Sequence, residues 1–542
     1  MRLAISDDPI SDNLPVLPEQ FTDEERATLS PYFTNADRHI FALTNLPETV
    51  KGALFARYSR SAKSLRRLFL DEFAHDMPPA QPHAAETGTS RADRLYAKVF
   101  NEYGDDSVAQ LGGAHIACEY VSNVLTKVLE WGRLMAYLEQ STRYVPYTDK
   151  LHGRWRYHVP AEIVGALRGR YESTMDAAFE RYAKWIPAMQ EHFAARYPKA
   201  PGDSDGVHRA AIRAKALDTL RGMLPAATQS NVGLYGTGQA FEALLLRMRA
   251  HPLTEARDCA GQMLDELRKV IPAFLTRVDV ADRGGAWSDY LAGTRSATAT
   301  LADSLLQGIT AEDRDEVVLT DFDPDGEVKI VAAALYSVSA LPDDQLMAAA
   351  RRMSPGERAL VLRAYVGSRS NRRHKPGRAF ERTTYRFDVL TDYGAFRDLQ
   401  RHRLLTLEWQ PLSTRHGFTE PEAIREAGAG DDWDRVMESS ASLYEALSSA
   451  GLRDVAPYAV AMAYRVRFYM EMNAREAMHM IELRTAPQGH PAYRRVCQQM
   501  HRLIADQAGH HGVAGAMRFA DHSVVELERL GSERHMERKR EM

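Results

Sequence analysis

Apolar positions along this chain recur mostly with the helical period. Val50, Ala53, Leu54 and Tyr58, then Leu65, Leu68 and Phe69, keep one face apolar between residues 39 and 75. Pro78, Pro79 and Pro82 make 76–90 a loop, since prolines at that density cannot continue a helix. Helical zones are predicted over 92–142 (broken near Gly112-Gly113), over 160–200, and over 210–278, the last interrupted at Pro225 and through 233–238. Between 279 and 327 the periodicity disappears, and Asp321-Phe-Asp-Pro-Asp-Gly326 has turn chemistry. Residues 328–335 read as a strand. Helices follow over 342–367, 391–408, 432–450, 456–484 and 491–530, with a basic loop at 368–378. Residues 1–38 read as an irregular acidic lead-in and 531–542 as a frayed charged tail. The pattern is that of a helix-rich α/β (α+β) chain, with a boundary best placed in 281–327.

Composition narrows the function classes. With 542 residues, 44% of them hydrophobic and 26% charged, the chain suits a soluble protein of two to four domains. A net charge of −4 points to neither bulk nucleic-acid nor membrane binding. No apolar run is long enough to span a bilayer and no signal-peptide pattern opens the chain, so a cytoplasmic location is expected. Cys118, Cys259 and Cys497 have no CxxC spacing, which suits packed, reduced thiols rather than a metal or disulfide framework. His490 and His510-His511 lack ligands at helical metal spacing, HExxH is absent, and no metal site and no protein nucleophile are expected.

Candidate chemistry concentrates in 397–416. There Arg401-His402-Arg403 and Ser413-Thr414-Arg415 flank an apolar run, which suits phosphorylated ligands because guanidinium forks grip phosphate in paired hydrogen bonds. On a continuing helix Arg401 and Arg403 would project about 200° apart, so either they serve neighbouring pockets or the helix ends there. A solvated basic helix end is the competing reading. A similar layout, Arg133 followed by Ser141-Thr142-Arg143, stands about half a chain earlier. Each copy is followed by a helical stretch ending in a leucine–arginine pair, at Arg247 and at Arg484. Duplication of one domain explains both. Nucleic-acid binding would rest on the basic stretch 369–382 alone, which lacks the interleaved aromatics of a single-strand platform.

These motifs resemble the flavin-dependent thymidylate synthases (the ThyX family), whose signature is RHRxxSxNExSxRY. Arg401-His402-Arg403 reproduces its opening and Thr406 stands at its first Ser, but Glu408-Trp409 replaces Asn-Glu and two extra residues precede Ser413. The first half departs oppositely. Trp131-Gly132-Arg133 lacks the first Arg and the His, while Glu139, Ser141, Arg143 and Tyr144 match without insertion. The family's earlier GHxSxxE segment is echoed at 104–110 and at 377–381, and its later Asn-x-Arg helix at Asn473-Ala-Arg475 through Arg484.

The resemblance implies two tandem thymidylate-synthase-complementing-like domains, at 39–280 and 328–530. It implies FAD as cofactor, dUMP as substrate, methylenetetrahydrofolate and NADPH as co-substrates, and active sites shared between subunits of a tetramer. By position, Arg401, His402, Arg403, Asn473 and Arg475 would face the flavin. Glu139, Ser141, Arg143 and Arg247, with Ser413, Arg415 and Arg484, would face the nucleotide. Each half would supply what the other lost, and a homodimer would form a pseudo-tetramer with fewer, composite sites. The alternatives are an inactive flavin- or nucleotide-binding paralogue and a methylase of another uridylate.

Overall fold

The structure, a computed structural model, describes residues 19–77 and 109–541. The remainder of the loop at 76–90, the start of the helical zone at 92–142, and 104–108 of the GHxSxxE-like segment lie outside the described residues. So do 1–18 of the lead-in.

The fold is helix-rich α+β, built on two antiparallel four-stranded sheets. The first contains β1 (Ile40–Leu43), β2 (Gly113–Ser122), β3 (Met135–Glu139) and β4 (Gln229–Thr237), in the order β1-β2-β4-β3. The second contains β5 (Val317–Phe322), β6 (Thr384–Asp392), β7 (Thr406–Trp409) and β8 (Arg465–Asn473), in the order β5-β6-β8-β7. The repetition reaches single residues. Ser122 and Asp392 each end the second strand and cap a seven-residue helix, accepting from the backbone N–H of Leu125 and of Ala395. Thr237 and Asn473 each end the last strand and cap the helices Gly238–Arg249 and Ala474–Arg484.

The halves meet across an approximate twofold axis near Pro225 and Ala461, which form an antiparallel bridge. Around it the hydrogen bonds come in matched pairs. Ala226 donates to Val460 O at 2.8 Å and Met462 to Leu224 O at 2.9 Å; Ala227 donates to Tyr458 O and Ala463 to Gly222 O, both at 3.0 Å. Gly222, Ala226, Ala227, Ala461 and Ala463 keep this joint slim where the two segments cross. One apolar core then runs through both halves, and a smaller cluster around Phe33, Phe41 and Phe69 covers the outer side of the first sheet.

Several predicted elements change. Residues 328–335 are not a strand but part of the helix Gly326–Tyr336: Ile330, Val331 and Ala334 face the core at helical spacing, and alanine is the best helix former. The zone 456–484 holds β8, whose Val466, Phe468, Met470 and Met472 are buried in alternation. The zone 92–142 holds β2 and β3. β2 hides its period because Ile116 and Cys118 enter the large core while Ala117 enters the smaller cluster. The predicted helix 391–408 stops at Leu399, and 491–530 divides into Pro491–Asp506 and His511–Ala516. The stretch read as a linker, 281–327, contains the exposed helix Ala286–Leu305 and β5 of the second sheet. Within the lead-in, Thr22 and Glu25 form a capping box on the helix Asp23–Leu29. The tail is likewise ordered: helix Leu530–Glu541 is tied back by an ion pair from Arg534 to Asp203 at 2.5 Å.

A side chain at Gly222 would place Cβ 2.6 Å from the buried Trp433 ring and 3.0 Å from Ala463 Cβ. Gly222→Val is expected to destabilise the chain by about 1–3 kcal/mol through overpacking at the joint. Urea unfolding measures it, and an unchanged midpoint would mean that the joint yields freely.

Candidate active site between the two halves

The seven-residue helix Tyr393–Leu399 ends just before the Arg401-His402-Arg403 triplet, so the basic residues leave it in different directions. Arg401 turns back to pair with the buried carboxylate of Asp398. Arg403 crosses to the first half and donates to Met135 O. The end of the helix at Leu399, rather than one continuing helix face, accounts for the divergence of the pair.

Asp398 is the centre of the arrangement. Arg484 donates to its carbonyl oxygen at 2.5 Å and lies 3.6 Å from its carboxylate. Burial alone would raise the pKa of Asp398, but Arg401 and Arg484, then Arg221 and Arg143, outweigh it and hold the carboxyl far below its usual range. Two of those guanidinium groups come from each half. Arg143 pairs with Asp218 at 2.5 Å and donates to Gln488 O at 3.3 Å. Arg221 lies 3.7 Å from Asp218. Desolvation opposes the charge on Arg143, but Asp218 more than restores it. His490, at the same place, is held neutral by burial and by Arg221. Four guanidinium groups thus surround Asp398 and Asp218, with Asp392 also facing Arg221, so that guanidinium groups outnumber carboxyls. Arg221 Nη2 and Arg401 Nε are buried and have no hydrogen-bond acceptor. Buried donors of this kind suit the oxygens of an anion.

Beside this cluster, Glu476, His402 and Arg484 form a chain. Glu476 meets His402 Nδ1 at 3.1 Å, and His402 Nε2 accepts from Arg484 Nε at 2.9 Å. His402 therefore carries its proton on Nδ1 and donates it to Glu476. Burial lowers the His402 pKa to about 4, so the ring is neutral at pH 7 and acts to orient Arg484. His402, Glu476 and His479 each bring a ligand atom within 4.8 Å of the others. Both His402 nitrogens are already engaged, and a cation would sit beside Arg484. The set is a hydrogen-bonded support, not a metal site.

On the other side of Arg401, Glu139 of β3 receives Arg397 of the second half at 2.6 Å and Lys127 at 3.4 Å. Burial pushes Glu139 up, yet Arg397, Lys127 and Arg401 bring its pKa down to about 2.

The structure thus brings Glu139 and Arg143 of the first half together with Arg401, His402 and Arg484 of the second. The other sequence-derived candidates lie elsewhere. Asn473 uses its side chain to cap a helix. Arg475 donates to Pro376 O at 3.0 Å and faces Glu381 at 3.5 Å, joining the two family-like segments of the second half. Ser141 lies next to Arg143, whose backbone N–H it accepts at 3.3 Å, and Ser413 is buried near an exposed Arg415. Arg247 lies over the Trp131 ring at 5.3 Å. Sequence reading missed Asp398, Asp218, Arg221 and His490. Asp398 carried a signal, since it stands three residues before Arg401, where a helical turn pairs them. Asp218 and Arg221 had no motif around them. In the basic stretch 369–382, Arg369 is buried against Glu482 at 2.5 Å and Arg382 is paired with Asp343 at 2.8 Å.

Because the Glu139 pKa is depressed in the folded state, its contribution is present above the unfolded value of about 4.3 and is lost as pH falls toward about 2. Glu139→Gln is expected to cost about 3–5 kcal/mol at pH 7, since it strands Arg397. It should also flatten the decline in stability between pH 5 and 3. Urea midpoints across that range check both, and parallel profiles for the two proteins would refute the assignment.

Comparison with known proteins places these features in a family. The family model described as thymidylate synthase complementing protein matches residues 53–273 and 318–508. A UPF0159 protein of Chlamydia muridarum is 37% identical over 520 residues, covering 95% of this chain and 98% of its own length. A UPF0159 protein of Thermoplasma acidophilum is 30% identical over 512 residues, covering 89% and 97%. Among solved structures, the UMP/dUMP methylase PolB from Streptomyces cacaoi, bound with 5-Br dUMP, aligns over 38% of this chain and 96% of its own. Its identity is 20% and its TM-score 0.31, a likeness that carries no argument about this chain. The match takes in both halves, and the chain belongs to the thymidylate synthase complementing protein family.

Proposed function

We propose that this chain is a ThyX-like, FAD-dependent thymidylate synthase that reductively methylates dUMP at a site assembled from both of its halves. The observation that carries the reading is Asp398, a carboxylate of the second half set among Arg143 and Arg221 from the first and Arg401 and Arg484 from the second. The excess of guanidinium groups suits a phosphate, and the acceptor-free nitrogens of Arg221 and Arg401 are suited to its oxygens. The same donors fit the phosphates of a flavin dinucleotide.

The chain's own residues bind and orient. Asp398 and Asp218 keep the guanidinium groups charged and spaced before the ligand arrives, so little reorganisation accompanies binding. The Glu476–His402 pair fixes the plane of Arg484. Glu139, which the family resemblance sets against the nucleotide, is kept ionised by Arg397 and Lys127. FAD would lie against the Arg401-His402-Arg403 side and would supply the redox chemistry. NADPH would serve as reductant and methylenetetrahydrofolate as one-carbon donor. No protein nucleophile is required.

The visible absorption spectrum of the protein with FAD, before and after dUMP, tests the reading. A bound flavin perturbed by dUMP is expected, and Arg143→Ala and Arg401→Ala should each weaken dUMP binding at least about thirtyfold, or about 2 kcal/mol. A flavin insensitive to dUMP but perturbed by another uridylate would move the substrate. No flavin under any condition would leave only a binding scaffold.

A further inference from the structure

The approximate twofold axis requires that every contact between the halves have a counterpart, so the composite site should occur twice in each chain. The structure builds it once. Counting from the caps Ser122 and Asp392, Asp398 corresponds to Val128 and Arg401 to Trp131. Counting from the caps Thr237 and Asn473, Arg484 corresponds to Met248. The matched hydrogen bonds at the joint set Arg221 opposite Pro457. The strand registers set Glu139, paired with Val232, opposite Trp409, paired with Phe468. These five charged groups have apolar counterparts, whereas Arg143 and Asp218 correspond to Arg415 and Asp454, which are both exposed.

Where Arg401 approaches Glu139 in one location, Trp131 meets Trp409 in the other, edge to face at 6.2 Å. Trp131 donates its indole N–H to Leu407 O at 3.1 Å, and Arg247 covers its ring. Trp409 continues the stack onto Phe396 at 5.6 Å. These contacts fill the space with aromatic surface and spend the indole donor on the protein's own backbone. Val128, Met248 and Pro457 offer no charge there, and of the arginines that remain, Arg415 is exposed while Arg247 lies over the Trp131 ring.

We infer that the Trp131–Trp409 pair is a plug that closes the second quasi-equivalent site, so that each chain carries one nucleotide site where its twofold symmetry allows two. Resting on the function proposed above, this gives Arg247 a part: it clamps the plug and does not touch the nucleotide.

Isothermal titration of the full chain with dUMP in the presence of FAD tests the inference. One dUMP per chain is expected, with Trp131→Ala leaving both that stoichiometry and the affinity unchanged within about twofold. Two dUMP per chain, or a tenfold loss of affinity in Trp131→Ala, would overturn the plug while leaving the proposed function standing. No binding of dUMP by the unaltered protein would remove the proposed function, and the plug with it. Trp131→Phe, which keeps an aromatic ring in the stack, gives the same readout if the alanine variant does not fold.

Discussion

Antiparallel pairing of Leu224–Ala227 with Tyr458–Ala463 fixes everything else about how the two halves serve one another. Four backbone hydrogen bonds join the two segments, and Trp433 fills the space beneath Gly222. Because the pairing is nearly twofold, it sets the end of the second sheet's short helix beside β3 of the first sheet. Arg397 thereby reaches Glu139, and Asp398 comes within the field of Arg143 and Arg221. A joint through longer side chains would separate these groups and leave each half with a fragment of a site.

The charges brought together are mismatched in number, and that is costly in the absence of a ligand. Buried guanidinium groups are tolerated because Asp398 and Asp218 stay ionised among them, yet two nitrogens still lack acceptors. Folding and ligand recognition thus draw on the same charges, a usual arrangement where a site is prepared in advance. Duplication then removes the need for symmetry. In separate identical subunits, a change that improves one site changes all of them. In a tandem chain one location can keep Arg401 and Glu139 while the other exchanges them for Trp131 and Trp409 and gains packing at the joint.

Much of this was legible in the sequence, unevenly. The two copies of the arginine-to-Ser-Thr-Arg layout revealed the duplication, and the opposite losses in the two signatures pointed to shared chemistry. Strands were less visible. β2 buries both faces, which erases its alternation, whereas β8 alternates cleanly but sits among Met, Arg and Glu, residues that also suit helices. The alanine-rich run after Asp325 looked like a strand because its valines and isoleucine are β-formers; burial at helical spacing decided otherwise. Asn473 stands at a family position yet caps a helix, and Arg247 matches by sequence while its side chain lies on Trp131. Asp218, Arg221 and His490 could not be found from spacing, since they join the site only through the meeting of the halves.

The central claim is that one chain completes the site by itself, with Arg143 and Arg401 acting in the same molecule. Co-expressing a chain carrying Arg143→Ala with one carrying Arg401→Ala, and titrating the mixture with dUMP in the presence of FAD, tests it most directly. The account expects no tight binding from the mixture, because every chain lacks one essential guanidinium from its own site. Recovery of tight sites in a substantial fraction of the mixed protein would mean that Arg143 of one chain works with Arg401 of another, and would contradict it.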